Sequence, residues 1–347
     1  MPNLVVSRSL IPSMSCIDDE NEKLHYWTEL MRDWQVKWKR PTFPGCNPLS
    51  LSRKQLNHLE NNEYLITLKS DGVRYVLYCT TRPGSTGDAP LPVAIMVDRS
   101  QNMYEVEVVA KEDVFFKRTI LEGELVWKQP EENVLTFLVF DCILSRGESY
   151  LKRPFEDRLR EAHRLVHLSE DLSHYPDVDK RVLETGNIVM THYAPRVTMR
   201  PKVFVDMRNA ERMWNDRGDV EHRVDGIILQ RKDAPYTLGT ASHGEILKWK
   251  EKSSVDLSGP SLAAVDAPLP EVILNRTVVI SKDSRIVAAH EDDVVEYLVT
   301  VNDTSVVFFA LRRRVDKSHA NGIKVVLATV QDVIDAITPV EISRRSE

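Results

Sequence analysis

Residues 69–74 read Lys69-Ser70-Asp71-Gly72-Val73-Arg74, a lysine at the end of a β-rich run, directly before a turn, with an acid and an arginine beside it. That arrangement suits a nucleophile. A free lysine amine has a pKa of about 10.4, so it becomes useful near neutral pH only beside other cations or out of water. Glu245-Ile246-Leu247-Lys248-Trp249-Lys250 supplies cations. On a strand its period of two puts Lys248 and Lys250 on one face, with Leu247 and Trp249 on the other. Glu122-Gly123-Glu124 and Asp225-Gly226 each read as a carboxylate at a strand terminus, and hard oxygen ligands of this kind suit Mg2+. Each piece also has an ordinary reading: a surface turn, a solvated edge strand, acid-glycine turn chemistry. The chain has neither a GxxxxGK[ST] nor a GxGxxG loop, so positive side chains must hold any phosphate.

These residues must be positioned by 347 residues, and at roughly 150 residues per domain that length predicts two domains. With 42% hydrophobic and 28% charged residues the composition is that of a globular chain able to bury a core. A net charge of -6 excludes holding nucleic acid through overall positive charge, leaving local basic patches at 248–252 and 312–317. Cys16, Cys46, Cys79 and Cys142 form no CxxC pair and have no histidine at ligand spacing, which predicts neither zinc nor disulfides, and a reducing compartment. No apolar run approaches the roughly 18 residues of a membrane span, so a soluble, unsecreted protein is expected.

Leu24, Trp27, Leu30, Met31 and Trp34 recur at helical spacing and predict an amphipathic helix over 20–38. Ser52 and Gln55 form a capping-box pattern opening a short helix through Leu56 and Leu59. Strands are expected at 64–68 and 73–78, flanking a Ser70-Asp71-Gly72 turn, and at 93–97, 134–144 and 224–229. Pro154 opens a helix carrying Phe155, Leu159, Ala162, Leu165 and Val166. The first 250 or so residues thus read as mixed α/β. SSVDLSGPSLAAVDAPLP reads as a linker or long loop, with a boundary near 253. Beyond it, β-patterned runs at 277–280, 294–301, 306–311 and 323–329 suit a small barrel or sandwich, closed by a short helix over 331–337.

In sequence order, the Lys69 to Arg74 segment, Asp98-Arg99, Glu122-Gly123-Glu124-Leu125-Val126, Phe137-Leu138-Val139-Phe140-Asp141, Asp225-Gly226-Ile227-Ile228, Leu247-Lys248-Trp249-Lys250 and Arg314-Val315-Asp316-Lys317-Ser318-His319-Ala320-Asn321 resemble the motif series of mRNA capping guanylyltransferases, across residues 44–321. ATP-dependent DNA ligases share the first motif and much of the fold. The Arg-x-Asp-Lys-x-x-x-Asn element and the Leu-Lys-Trp-Lys form favour capping enzymes. A polynucleotide ligase working through Lys-AMP is the alternative, and an idle RNA- or partner-binding module a third reading, opposed by the intact Lys69, Lys248, Lys250 and Lys317 set.

The resemblance implies a two-domain clamp, an α/β nucleotidyltransferase domain over 1–252 followed by a small all-β OB-fold domain over 253–347 with a C-terminal helix. It implies that Lys69 attacks the α-phosphate of GTP, forms Lys-GMP and passes GMP to 5′-diphosphate RNA, with Mg2+ or Mn2+. Ser70, Phe140 and Ile228 would hold guanine, the last two sandwiching it. Arg74 and Arg99 would bind ribose and phosphate, Glu124 and Asp225 ribose or metal, and Lys248 and Lys250 the α-phosphate, with Asp71 and Gly72 of the turn also among the nucleotide-binding positions. Arg314, Asp316, Lys317 and Asn321 would close over the β- and γ-phosphates. A guanine-reading lysine found in some relatives is expected near 190–197, where His192 and Arg196 are the basic residues. The expected partners are a separate RNA triphosphatase, a cap methyltransferase and the transcription machinery. The expected compartment is the nucleus for a cellular source, the cytoplasm or a viral factory for a viral one.

Overall fold

A computed structural model describes residues 15–37, 43–84, 89–129, 134–166, 188–190, 196–258, 276–281, 293–315, 317 and 319–345. Its mixed α/β architecture is built on two large sheets that meet at the Lys69 turn. Tyr64–Ser70 runs antiparallel to Val224–Arg231, which pairs with Ile246–Lys250, which pairs in parallel with Leu49–Ser50. The next strand, Val73–Arg82, enters the other sheet, between Leu91–Asp98 and Thr119–Gln129. Val134–Ser145 and, in parallel, Arg196–Pro201 extend that sheet. The chain therefore changes sheets across Asp71 and Gly72, leaving a cleft between the two layers.

Strand alternation decides what each layer offers the cleft. Ile66, Ile227, Leu229, Leu247 and Trp249 are buried in one core with Leu56 and Leu59 of the capped helix Arg53–Glu60. The intervening positions, Thr67 and Lys69, Ile228 and Gln230, Lys248 and Lys250, lie on the opposite face. Ser52 opens that helix as expected, its N–H donating to Gln55 Oε1 at 3.0 Å. Leu77, Leu121, Leu125, Phe137 and Val139 fill the core of the other sheet against Ala162 and Leu165 of the helix Phe155–Leu165, which starts directly after Pro154.

Three expectations are corrected. The first helix spans Glu20–Asp33, short of residue 38, because Gln35 turns to φ 58 and the N–H groups of Gln35 and Val36 donate back to Arg32 and Met31 carbonyls, both at 3.0 Å. This is a helix-ending Schellman arrangement. Trp27, Leu30 and Trp34 are buried as expected, whereas Leu24 is 64% exposed. Ser254–Leu257, inside the expected linker, is a strand of a separate four-stranded sheet, pairing with Val295–Val301, itself against Ser305–Arg313, with Thr277–Ser281 parallel to the last. Residues 323–329 are not a strand: Ile323–Asp335 is one helix, burying Val326 and Val330 against Val255, Tyr297 and Phe308. The chain then returns to the first unit. Ile337 and Ile342 are buried with Leu51, Trp214 and Trp249, and Trp249 Nε1 donates to the Ile337 carbonyl at 2.7 Å.

Gly226 is the tightest point of the site-bearing sheet. It pairs with Lys69 on one side and Lys250 on the other, and a Cβ added there would fall 1.9 Å from the Trp249 carbonyl oxygen. Gly226→Ala should therefore force these strands apart and lower stability by about 1–3 kcal/mol, the usual cost of overpacking. Denaturant unfolding checks this; an unchanged midpoint would show that the strands yield freely.

Candidate active site

Lys69 enters the cleft from the last turn of its strand, and a bulge places its partner. The ladder runs from Val224 opposite Ser70 directly to Gly226 opposite Lys69, so Asp225 is the extra residue. A bulge releases a side chain from the regular pleat and re-aims it. Here the Asp225 carboxylate reaches both neighbouring strands: Lys69 Nζ donates to Oδ1 at 2.7 Å, and Lys250 Nζ lies 2.7 Å from Oδ2. Burial works against ionisation of Asp225, but Lys69 and Lys250 outweigh it and hold the carboxyl below its ordinary value. Lys248 is pulled below the ordinary lysine value by burial, then by Lys250 and Lys69. Two ammonium groups thus flank one carboxylate and a third, on Lys248, lies near enough to be influenced by both, a concentration of charge that an oligophosphate would relieve.

Beyond Lys69 a cavity of about 160 Å³ opens between the sheets. Phe140 and Ile228 both line it, from different layers. Its inner wall is a buried ion pair. Arg74 lies 2.7 Å from Glu122 Oε1, the Tyr236 hydroxyl donates to Glu122 Oε2 at 2.6 Å, and Arg74 also donates to the Cys46 carbonyl. Burial disfavours charge on Arg74, and the Glu122 carboxylate more than offsets it, raising the guanidinium pKa. The guanidinium sits 5.4 Å from the Phe140 ring centroid, close enough for cation–π attraction. Arg99 follows directly on Leu91–Asp98 and lines the same cavity; loss of water and the charge of Arg74 pull its pKa down. Glu122 and Glu124 stand in the middle of Thr119–Gln129, which corrects their expected place at a strand terminus.

The far end of the cavity holds a residue missing from the expected set. Lys202, just after Arg196–Pro201, is buried with its backbone N–H on the Val139 carbonyl at 2.7 Å. Its Nζ donates to Ser70 Oγ at 2.9 Å and to Glu124 Oε2 at 3.4 Å, while Glu124 Oε1 accepts from the Gly72 N–H at 3.3 Å. Ser70 itself is fully buried and lies behind Lys202, bordering a second, larger groove of about 780 Å³ rather than the Lys69 cavity. Asp71 is exposed in the turn, its N–H bonded to the Arg223 carbonyl at 2.9 Å.

Residues 7–252 match the family model for the mRNA capping enzyme catalytic domain. The chain belongs to the mRNA capping enzyme family. It is 24% identical to the mRNA-capping enzyme of Caenorhabditis elegans, over 95% of this chain and 52% of that protein. It is 30% identical to the mRNA-capping enzyme subunit alpha of Schizosaccharomyces pombe, over 61% of this chain and 51% of that one. It spans about half the length of these relatives. Among solved structures, a mycobacterial DNA ligase D complexed with ATP and MES aligns over 79% of this chain and 96% of that one, at 12% identity and a TM-score of 0.40.

The capping-family motifs therefore converge, with one group apart. Lys69, Arg74, Arg99, Glu124, Phe140 and Ile228 line one cavity, with Asp225, Lys248 and Lys250 at its lysine end. Arg314, Lys317 and Asn321 are instead gathered on the four-stranded sheet around buried Asp256. Arg314 lies 2.9 Å from its Oδ1, Lys317 bonds Oδ2, and Asn321 exchanges backbone and side-chain bonds with it, each 2.7 Å. Asp316, His192 and the Arg196 side chain lie outside the described residues. Lys202 falls just beyond the 190–197 window; a lone lysine between Pro201 and Val203, immediately after a β-patterned run, was the available signal.

Among the described residues no three His, Cys, Asp or Glu side chains form a ready metal cage. Asp225 and Glu124 offer hard oxygens, but both oxygens of Asp225 are engaged by lysines. That donor set fits a Mg2+ or Mn2+ carried in on phosphate oxygens, the usual habit of Mg2+.

Removing Glu122 would strand the Arg74 charge. Glu122→Ala should cost roughly 3–5 kcal/mol, as breaking a buried pair does. Equilibrium unfolding tests it, and a loss under about 1 kcal/mol would mean that water enters to solvate Arg74.

Proposed function

We propose that the chain is a GTP–RNA guanylyltransferase. The observation that carries this reading is the amine of Lys69, which lines one cavity with Phe140 and Ile228 and is paired with Asp225, itself paired with Lys250; this supports a nucleophile between a phosphate site and a base site. In the first step Lys69 Nζ, its ammonium having given up a proton to solvent, attacks the α-phosphorus of GTP. The N–P bond forms, the bond to the bridging oxygen breaks, and pyrophosphate leaves. In the second step a β-phosphate oxygen of 5′-diphosphate RNA attacks the same phosphorus and the amine returns to Lys69. Phe140 and Ile228 sandwich the guanine. Arg74 and Arg99 bind ribose and phosphate, and Lys248 and Lys250 take the α-phosphate in place of Asp225. Lys202 takes the part of the guanine-reading lysine, its ammonium donating to O6. Asp225 and Glu124 would hold the divalent ion, which when bound neutralises charge on the phosphates. Positioning and charge neutralisation are what phosphoryl transfer asks of a protein.

Incubation with α-labelled GTP and Mg2+ or Mn2+ should leave an acid-labile, alkali-stable protein adduct, with ATP giving none. Lys69→Ala and Lys69→Arg should both abolish it, since a guanidinium stays protonated. Equal labelling by ATP would overturn the reading and favour a ligase.

In the same reading the four-stranded sheet and the helix Ile323–Asp335 belong to an OB-fold domain that closes on the nucleotide as a clamp, while Ile337 and Ile342 stay packed in the core of the first unit. Arg314 and Lys317 then leave Asp256 for the β- and γ-phosphates, which depart after the first step. An RNA triphosphatase and a cap methyltransferase are assigned to partners, and the compartment to the nucleus for a cellular source. Arg314→Ala and Lys317→Ala should slow adduct formation by about tenfold or more, the loss expected for a charged hydrogen bond. When forced to the adduct and freed of GTP, both variants should pass GMP to diphosphate-ended RNA at close to the normal rate. Transfer slowed as severely as adduct formation would move this basic cluster to the RNA site.

A further inference from the structure

His222 does not belong to the motif series above, yet it completes a chain of hydrogen bonds ending at Lys202. Its Nε2 lies 2.9 Å from Ser70 Oγ, which accepts from Lys202 Nζ at 2.9 Å. Ser70 Oγ has one hydrogen of its own. An ammonium has no lone pair to receive it, so that hydrogen points at His222 Nε2, and the imidazole carries its proton on Nδ1. Burial, then the Lys202 ammonium, pull the His222 pKa down to about 4, which leaves the ring neutral and able to accept.

We propose that His222 is a specificity-positioning residue: by accepting the Ser70 hydroxyl hydrogen it turns the Ser70 lone pairs towards Lys202 and so aims the Lys202 ammonium at the base end of the nucleotide cavity. Of three N–H donors on Lys202, one goes to Ser70 and one to Glu124. The third is left for a ligand. With the ammonium held from both sides, that donor meets a base that offers a carbonyl oxygen and repels one that offers an amino group, which is discrimination by misfit as well as by fit. Without His222 the hydroxyl becomes a free rotor, its hydrogen can face the ammonium, and Lys202 keeps Glu124 as its one fixed partner. His222 touches no substrate in this scheme; it acts through Ser70, from the side of the larger groove that both residues border.

The inference rests on the guanylyltransferase reading, and adduct formation by the full chain with GTP, ITP and ATP separates the two. Inosine keeps O6 and lacks the 2-amino group; adenine carries an amino group in place of O6. His222→Ala should raise the KM for GTP and for ITP alike by about tenfold or more, with a smaller change in the maximal rate, and ATP labelling, absent in the wild type, should become detectable as the repulsion relaxes. His222→Gln, whose amide reaches the place of Nε2, should recover most of the loss. Ser70→Ala should mimic His222→Ala, and the double variant should add little, as coupled residues do. Unfolding midpoints of the variants accompany the kinetics, because a merely structural histidine would lower the maximal rate with GTP and ITP together with stability and leave ATP labelling absent. That result, a loss confined to GTP, or unchanged selectivity in His222→Ala while the wild type selects GTP, would each overturn the proposal and leave the reading standing. A wild type that labels equally with ATP would overturn both.

Discussion

Everything at the site depends on the passage of the chain from one sheet to the other across Asp71 and Gly72. Lys69 closes a strand in the first layer, and Arg74 lies near the start of a strand in the second. Hydrogen-bonded ladders fix each layer, so the turn leaves the two residues on facing walls of one cleft. The turn's own anchor lies in the far wall, where Glu124 accepts the Gly72 N–H. The bulge at Asp225 is the matching device on the other side, since a regular ladder would have placed that carboxylate in register and out of reach of one lysine.

Charge is distributed across this cleft in two ways. Arg74, Glu122 and Tyr236 are tied together by hydrogen bonds around the fully buried Glu122 carboxylate, with Arg74 also held by the Cys46 carbonyl, which makes a rigid wall. Lys69, Lys248, Lys250 and Asp225 are only partly buried, with more positive charge than negative. A surplus of that kind is costly for the fold and favourable for an anion, which marks it as a binding surface rather than a stabilising network. A net charge of -6 on the whole chain makes the contrast sharper, because the positive field is local.

Much of this was legible in the sequence where local chemistry decides it. The period of two correctly put Lys248 and Lys250 opposite Leu247 and Trp249, and Ser52 with Gln55 and Pro154 opened helices where turn chemistry demands. Failures came where tertiary context decides. Residues 323–329 are rich in β-branched side chains, but packing of Val326 and Val330 on a sheet selects a helix over strand propensity. Leu24 fits the helical period and still faces water, because neighbours and not periodicity choose the buried stripe. Glu122 and Glu124 looked like turn residues beside Gly123; a Cβ at Gly123 would lie 2.5 Å from the Phe137 ring, so that glycine serves a close approach between strands instead of a turn. Lys202 and His222 are isolated in sequence, and their meaning appears only where Ser70 brings them together.

The separation of Arg314 and Lys317 from the cleft follows from the same electrostatics. Two cations held in reserve need a counter-charge, and Asp256 supplies it from within the strand Ser254–Leu257 while Asn321 satisfies that strand's backbone. Asp256 is buried, so releasing both cations would leave its carboxylate without its strongest partners, a cost that only a highly charged ligand can offset. In the proposed reaction the incoming triphosphate has such charge, whereas the monophosphate that would remain on Lys69 has much less. Such an arrangement would, in that proposed reaction, favour movement of the cations when the full triphosphate is present and their return once pyrophosphate has gone. The direction comes from the difference in what each state offers Arg314 and Lys317, which is all that a ligand can use to shift a conformational equilibrium.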